Sequence, residues 1–267
     1  NLKKKLIKKE QTKMNNEIHF HIHGNGHPII FIHSLGLDHN LWNFCIEELS
    51  AVTQTLTYDL PGHGINPSPK NPYKIENLSS DLIKALKKNN ISKASFVGLS
   101  IGGMVAQHLA AHNPDVVEKL VLIDTTTKYS EEWKNNWAQR ASIARSQGVS
   151  TMREKLLEAF FTPDFLSHDS PEIEYCRSVI NAMSDEGYAL ACEALALANT
   201  EDYAPLIDSN TLIMCGREDN ILFKEAVSWL DKNIKKTKVQ WLSPAQHVSP
   251  LERQDDFIKH LREFLEI

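Results

Sequence analysis

The stretch KASFVGLSIGGMVAQHLAAH, residues 93–112, decides the fold of this chain. Its first part, Ala94 to Val97, is short, mostly apolar and β-prone, which predicts a buried strand. Its last part, Ile101 to His112, carries apolar residues at helical spacing and is followed by Asn113-Pro114, which predicts a helix that ends there. Gly98-Leu99-Ser100-Ile101-Gly102 joins the two elements as a G-x-S-x-G turn.

Ser100 is the candidate nucleophile of this turn. A side chain on a sharp, strained turn points outward when the residues two positions away on either side have no Cβ atom, which explains both glycines. A serine at the start of a helix also lies beside unpaired N–H groups and the positive end of the helix dipole, which favour developing negative charge. The alternative is a flexible turn with no catalytic role, and partners elsewhere in the chain decide between the two.

The rest of the sequence alternates between predicted strands and helices joined by short loops. This alternation predicts an α/β fold with a mostly parallel sheet of the eight-stranded type, covered by helices on both faces. The predicted strands besides the central one are an edge strand at 17–23 and strands at 28–32, 54–58, 119–124, 211–215 and 238–242. The main helices are predicted at 76–88, 101–112, 223–234 and 254–265.

The alternation breaks between Tyr129 and Tyr203, where helical spacing and alanines replace strand patterns. We therefore expect residues 14–128 and 204–267 to form the core, and residues 129–203 to form a helical cap over the carboxyl edge of the sheet. A separate helical domain is the weaker alternative, because strands resume afterwards. Residues 1–13 carry six lysines against one glutamate and are expected to be a disordered basic extension outside the fold.

Composition narrows the class of partner. A net charge of −5 argues against a surface built for nucleic acid or acidic membranes, so a small-molecule ligand is expected. No apolar run approaches the length of a membrane span and no secretory core is evident, which favours a cytoplasmic protein. Association into a homo-oligomer is left open by the sequence. The scattered cysteines are interpreted as reduced core residues: Cys45, Cys176, Cys192 and Cys215.

The edge strand carries a candidate metal site, because His19, His21 and His23 fall on one face of it. A polar strand face is the favoured interpretation, because no carboxylate or cysteine lies at a supporting spacing. The sequence therefore predicts neither a metal site nor a cofactor.

Ser100, Asp219 and His247 each follow a predicted strand, so the three side chains are expected to meet at one edge of the sheet. A serine hydroxyl is a poor nucleophile at neutral pH and needs a base within hydrogen-bond reach. His247 is the candidate base, and Asp219 is the candidate acid that fixes the imidazole tautomer.

Each partner of Ser100 has rivals in the sequence. Glu218 and Asp124 compete for the role of the acid, and the Gly-x-x-Asp spacing after the strand favours Asp219. His33 and His63 compete for the role of the base. His33 is expected to brace a neighbouring loop and His63 to pack in a glycine-rich turn, whereas His247 follows the last strand.

Two backbone N–H groups are the candidates for an oxyanion hole, which the tetrahedral intermediate of ester hydrolysis requires. One is that of Ile101, immediately after the nucleophile. The other lies in His33-Ser34-Leu35-Gly36, and the N–H of Leu35 is the expected donor. The alternative is that this loop is only a turn between a strand and a helix, which would require Gly36 just as an oxyanion hole would.

With these residues identified, the chain from about residue 17 to its end resembles the α/β-hydrolase superfamily, which carries nucleophile, acid and base in this order. Within it, the chain is similar to the 3-oxoadipate enol-lactone hydrolases of aromatic catabolism. This closer resemblance rests on five segments: His33 to Trp42, Gly98 to Met104, Trp137-x-x-Arg140, Phe161-Thr162-Pro163, and Gly187 to Leu195. The loop Gly62-His63-Gly64-Ile65-Asn66 departs from the pattern, since many relatives carry a serine after the second glycine.

The resemblance implies a serine hydrolase that opens a small carboxylated enol lactone through an acyl-enzyme. For such a substrate we expect Arg140 to bind the carboxylate and Trp133 and Trp137 to form apolar walls. The alternative for Arg140 is a solvated position on a cap helix. The alternatives for the function are a general carboxylesterase, a hydrolase of C–C bonds on the same fold, and a ligand receptor that keeps the triad but turns over little.

Overall fold

The computed structural model describes residues 17–267, so the predicted basic extension at 1–13 lies outside the described residues. Its centre is one seven-stranded sheet with the order β1-β3-β2-β4-β5-β6-β7. β1 runs antiparallel to β3, and the other neighbours are parallel. The strands are β1 (His21–His23), β2 (Pro28–Ile32), β3 (Gln54–Tyr58), β4 (Ala94–Leu99), β5 (Val117–Ile123), β6 (Asn210–Gly216) and β7 (Thr237–Leu242).

The mostly parallel α/β sheet is confirmed, but the eight-stranded expectation is wrong for the described residues, which form seven strands. Only three residues of the predicted edge segment pair with β3, and no further strand precedes them within residues 17–267. The central strands are buried along most of their length, because a parallel sheet covered on both faces exposes neither side to water. β4 illustrates this, since all six of its residues are buried.

Helices cover both faces of the sheet. They are α1 (Asn43–Leu49), α2 (Ile75–Lys88), α3 (Ile101–His112), α4 (Glu131–Gln147), α5 (Arg153–Phe160), α6 (Pro163–Leu166), α7 (Pro171–Ala182), α8 (Asp185–Leu197), α9 (Ile221–Asn233), α10 (Ser249–Glu252) and α11 (Gln254–Leu265). α3 and α11 have the bounds that the sequence predicts. No helix among the described residues is long and apolar enough to cross a membrane. All four cysteines are buried and free.

Five helices, α4 to α8, lie between β5 and β6, and we call residues 129–203 the cap segment. An antiparallel bridge between Lys128 and Asn199 brings its two ends together. The backbone of Gly187 in α8 packs directly on the core loop, since a Cβ atom there would lie 2.4 Å from the carbonyl oxygen of Gly62. The cap segment therefore rests on the core through a contact that admits no side chain at Gly187.

Candidate functional site

The turn after β4 holds Ser100 in a strained backbone conformation, with φ +55° and ψ −115°. A Cβ atom on Gly98 would lie 2.4 Å from the carbonyl oxygen of Gly102, and one on Gly102 would lie 2.4 Å from that of Ile32. Gly98 is thus required by close packing within the turn, and Gly102 by close packing of the turn against the end of β2. Ser100 is fixed further because its N–H donates to Ile123 O at 2.9 Å.

Ser100, His247 and Asp219 form one chain of hydrogen bonds. The Ser100 Oγ lies 3.0 Å from His247 Nε2, and His247 Nδ1 lies 2.9 Å from Asp219 Oδ2. Asp219 is 3% exposed and Ser100 is 7% exposed, so the chain is shielded from water. The arrangement lets Nδ1–H donate to the carboxylate, which leaves Nε2 as the acceptor for the serine proton.

Burial lowers the pKa of His247, but the charge of Asp219 and its hydrogen bond raise it more, so this pKa lies above the ordinary value for histidine. The charge of Asp124 raises it further and that of Arg140 lowers it. The imidazole is therefore a stronger base than an exposed histidine.

The rivals of the predicted acid have other partners. Glu218 Oε2 accepts from Ala245 N at 2.7 Å, in the loop that leads to His247. Asp124 Oδ2 accepts from Ser249 N at 3.1 Å, just beyond His247. Both carboxylates thus hold the backbone of the histidine loop instead of the imidazole ring.

A third carboxylate, Glu252, joins the histidine loop to the cap segment. Its Oε2 accepts from Gln246 N at 2.5 Å, and its Oε1 accepts from Thr162 N at 3.0 Å and Thr162 Oγ1 at 2.6 Å. The neighbouring Val248 N donates to Phe160 O at 3.0 Å. The loop that carries the base is therefore held in part by residues of the cap segment.

The rivals of the predicted base are also occupied. His33 Nδ1 lies 2.8 Å from Ser34 O, and His33 Nε2 accepts from Leu60 N at 2.9 Å, so His33 ties two loops together. His63 is buried, and burial followed by the charge of His33 lowers the pKa of His63 to about 3. A ring that stays neutral to such low pH and lies away from Ser100 is a packing residue.

A cavity of about 360 Å³ opens above the serine, between the sheet edge and the cap segment. Trp133, Trp137 and Arg140, all on α4, line it together with Ser100 and His247. The Arg140 guanidinium lies 4.9 Å from the centre of the Trp137 ring. Within residues 17–267 no carboxylate forms a salt bridge with Arg140, and the Tyr188 hydroxyl is its neighbour in the cavity, so its charge is available to an anionic ligand.

The structure adds cavity residues that the sequence reasoning missed. Phe223 packs its ring 4.2 Å from the centre of the His247 ring and borders the cavity. Ser34 and Tyr188 also line it, beside the predicted Trp137. The Ser34 hydroxyl has no hydrogen-bond partner among the described residues, so it is available to a polar ligand. The signal for Tyr188 was its place in a cap motif.

The predicted oxyanion donors flank the nucleophile. Leu35 lines the cavity, and Ile101 follows Ser100 directly. In the part of the chain that the structure describes, neither amide donates to a protein acceptor. Both N–H groups are therefore available to a developing negative charge.

At the edge strand the structure separates the three histidines considered for metal binding. Of these, His21 joins a group of ligand-type side chains, with His39 and Asp59. The rings of His21 and His39 are stacked at 3.9 Å and nearly parallel, so their nitrogen lone pairs do not converge on one point.

A family model described as alpha/beta hydrolase fold matches residues 27–254 of this chain. The chain belongs to the α/β-hydrolase fold family. The resemblance predicted from the sequence is thereby confirmed, and it extends to named members of the family.

This α/β hydrolase is 32% identical over 230 residues to 3-oxoadipate enol-lactonase 2 of Acinetobacter baylyi. The aligned region covers 86% of this chain and 85% of that protein. The crystal structure of the enol-lactonase from Burkholderia xenovorans LB400 has a TM-score of 0.90 and 32% identity, and covers 95% of this chain and 98% of that one. A pimeloyl-[acyl-carrier protein] methyl ester esterase of Chromobacterium violaceum is 26% identical over 254 residues, 91% of this chain and 96% of that protein.

Proposed function

We propose that this α/β hydrolase cleaves carboxylic esters and opens a small carboxylated enol lactone of the 3-oxoadipate type through Ser-His-Asp chemistry. The observation that carries the proposal is the hydrogen-bond chain from Asp219 through His247 to Ser100, which ends in a cavity that also holds Arg140. The enol-lactonases among its relatives support the choice of substrate.

In the proposed reaction Ser100 Oγ attacks the lactone carbonyl while His247 Nε2 takes the serine proton. The N–H groups of Leu35 and Ile101 stabilise the negative oxygen of the tetrahedral intermediate. The ring C–O bond then breaks, the enolate leaves, and His247 returns the proton to it. Water activated by His247 hydrolyses the acyl-enzyme and regenerates Ser100.

The charge of Arg140 supports a substrate that carries a carboxylate at a distance from the ester. A guanidinium offers two parallel N–H donors to a carboxylate, and that of Arg140 lies 4.9 Å from the centre of the Trp137 ring, within the range of a cation–π contact. Trp133 and Phe223 supply apolar walls on the same cavity. With such a substrate the enzyme would act in the breakdown of aromatic compounds, which is the role that the resemblance to the enol-lactonases implies.

Hydrolysis of an open-chain ester of a carboxylic acid is the second candidate. The similarity to the pimeloyl-[acyl-carrier protein] methyl ester esterase of Chromobacterium violaceum favours this candidate, because that protein is named for the hydrolysis of a methyl ester. The same catalytic groups serve both substrates, so turnover of a substrate panel distinguishes them.

The test combines labelling and turnover. A fluorophosphonate should label Ser100 in the native protein, and Ser100→Ala should abolish both labelling and turnover while the protein keeps its melting transition. Steady turnover of carboxylated enol lactones above that of aryl and methyl esters supports the lactonase. A burst of labelling with no steady turnover of any ester would instead identify a ligand receptor, and full activity in Ser100→Ala would remove Ser100 from the mechanism.

A further inference from the structure

Asp124, the residue that follows β5, lies at the meeting point of the three loops of the triad. It is 1% exposed and has a left-handed backbone conformation with φ +43°. A non-glycine residue persists in this conformation only where surrounding contacts hold it there. The hydrogen bonds of the Asp124 side chain are the contacts that hold this strained backbone conformation.

The Asp124 carboxylate joins the loop of the acid to the loop of the base. Its Oδ1 accepts from Gly216 N at 2.8 Å, three residues before Asp219. Its Oδ2 accepts from Ser249 Oγ at 2.6 Å and Ser249 N at 3.1 Å, two residues after His247. The Asp124 side chain thus bridges the two loops on one side, while Glu218 bonds to Ala245 N on the other.

The residues on either side of Asp124 extend this linkage to the nucleophile. Ile123 O accepts from Ser100 N at 2.9 Å, and Thr125 Oγ1 donates to Ser100 O at 2.7 Å. The three residues 123–125 therefore contact the backbone of the serine turn and, through Asp124, both other loops. No other part of the site described above reaches all three.

The charge of Asp124 also acts on the triad. Its carboxylate and that of Asp219 approach within 4.8 Å of each other, beside the buried Cys215. Burial, followed by the charge of Asp219, raises the pKa of Asp124 to about 7. The charged groups that act on His247 are Asp219 and Asp124, which favour its protonated form, and Arg140 on α4, which opposes it.

We propose that Asp124 is a positioning residue that holds the Asp219 and His247 loops in register, and that its carboxylate, beside that of Asp219, also favours the protonated imidazole. The inference rests on the proposed function, because it concerns the same three side chains. Asp124 does not line the cavity, so it acts through the loops and the imidazole without contacting the substrate.

Asp124→Asn tests this inference, because asparagine has nearly the same shape, tolerates a left-handed backbone and carries no charge. In a folded variant we expect kcat to fall by about tenfold, as the loops lose their register, with KM unchanged. The low-pH inflection of kcat/KM should move to lower pH by about half a unit, since the imidazolium loses a neighbouring negative charge.

Asp115→Asn is the matched control, because Asp115 is exposed and lies just before the amino end of β5, whereas Asp124 follows its carboxyl end. It should leave kcat and the inflection unchanged. If D124N does not melt cooperatively, D124S replaces it with a smaller neutral group. An unchanged kcat in a folded variant overturns the positioning role, and an unchanged inflection overturns the electrostatic role. Activity retained in Ser100→Ala would instead remove the proposed function, which separates the two failures.

Discussion

Replacing Arg140 by methionine removes the guanidinium from the cavity wall and keeps an unbranched side chain of similar length. The structure supplies the starting state: Arg140 stacks on Trp137 at 4.9 Å and has no carboxylate in salt-bridge contact within residues 17–267. A substrate carboxylate therefore displaces no carboxylate of the protein when it binds this guanidinium.

The expected loss follows from one charged hydrogen-bonded pair. Such a pair contributes about 2 kcal/mol at a partly exposed site, and a tenfold change corresponds to about 1.4 kcal/mol, so kcat/KM should fall roughly 30-fold for a carboxylated lactone. For an uncharged ester of similar size the value should stay within about twofold, because no ion pair is lost. The charge of Arg140 also lowers the pKa of His247, so the low-pH inflection should move to higher pH in Arg140→Met.

Steady-state kinetics on the charged and uncharged substrates at several pH values measures both effects. Arg217→Met is the matched control, since Arg217 also stacks on a tryptophan, Trp241 at 5.2 Å, and does not line the cavity. It should leave the preference for the charged substrate unchanged. Equal losses on both substrates in Arg140→Met would refute the carboxylate role and leave Arg140 as a packing residue.

Three further outcomes are expected. The kcat/KM of the native enzyme should rise with pH through an inflection above about 6.5, because neutral His247 is the base and its pKa is raised; an inflection below that value would contradict this. Asp219→Asn should lower kcat by about 10³- to 10⁴-fold with an unchanged circular dichroism spectrum, since the tautomer is no longer fixed. Gly187→Ala should lower the free energy of unfolding by about 1–3 kcal/mol, because the Cβ atom of the alanine would collide with Gly62 O. If calorimetry shows no change, the backbone at this contact relaxes without cost.

Much of the site was predictable because its signals are local in sequence. The turn around Ser100 is specified by five consecutive residues, and its strand and helix carry their own periodicity. Asp219 and His247 each follow a predicted strand, and the carboxyl ends of parallel strands share one edge of the sheet. The sequence therefore predicts which three side chains meet, and the structure places them within hydrogen-bond distance.

What the sequence did not predict depends on contacts between distant segments. Asp124 bonds to Ser249, which lies 125 residues further along the chain, and no local pattern specifies that pairing. Tyr188 and Phe223 line the cavity because of how α8 and α9 pack, which helical spacing alone does not determine. The edge strand was predicted, but too long: the alternation of residues 17–23 is a strand signal, and only His21–His23 lies beside a partner strand.

Glu252 binds Thr162 of the cap segment with one carboxylate oxygen and Gln246, next to the base, with the other. Any outward swing of the turn between α5 and α6 must therefore break this bridge or drag the histidine loop along. The position of the cap segment at Thr162 and the position of the histidine loop at Gln246 are therefore coupled through one carboxylate. A substitution at Thr162, outside the triad, should for this reason affect the alignment of His247 with Ser100.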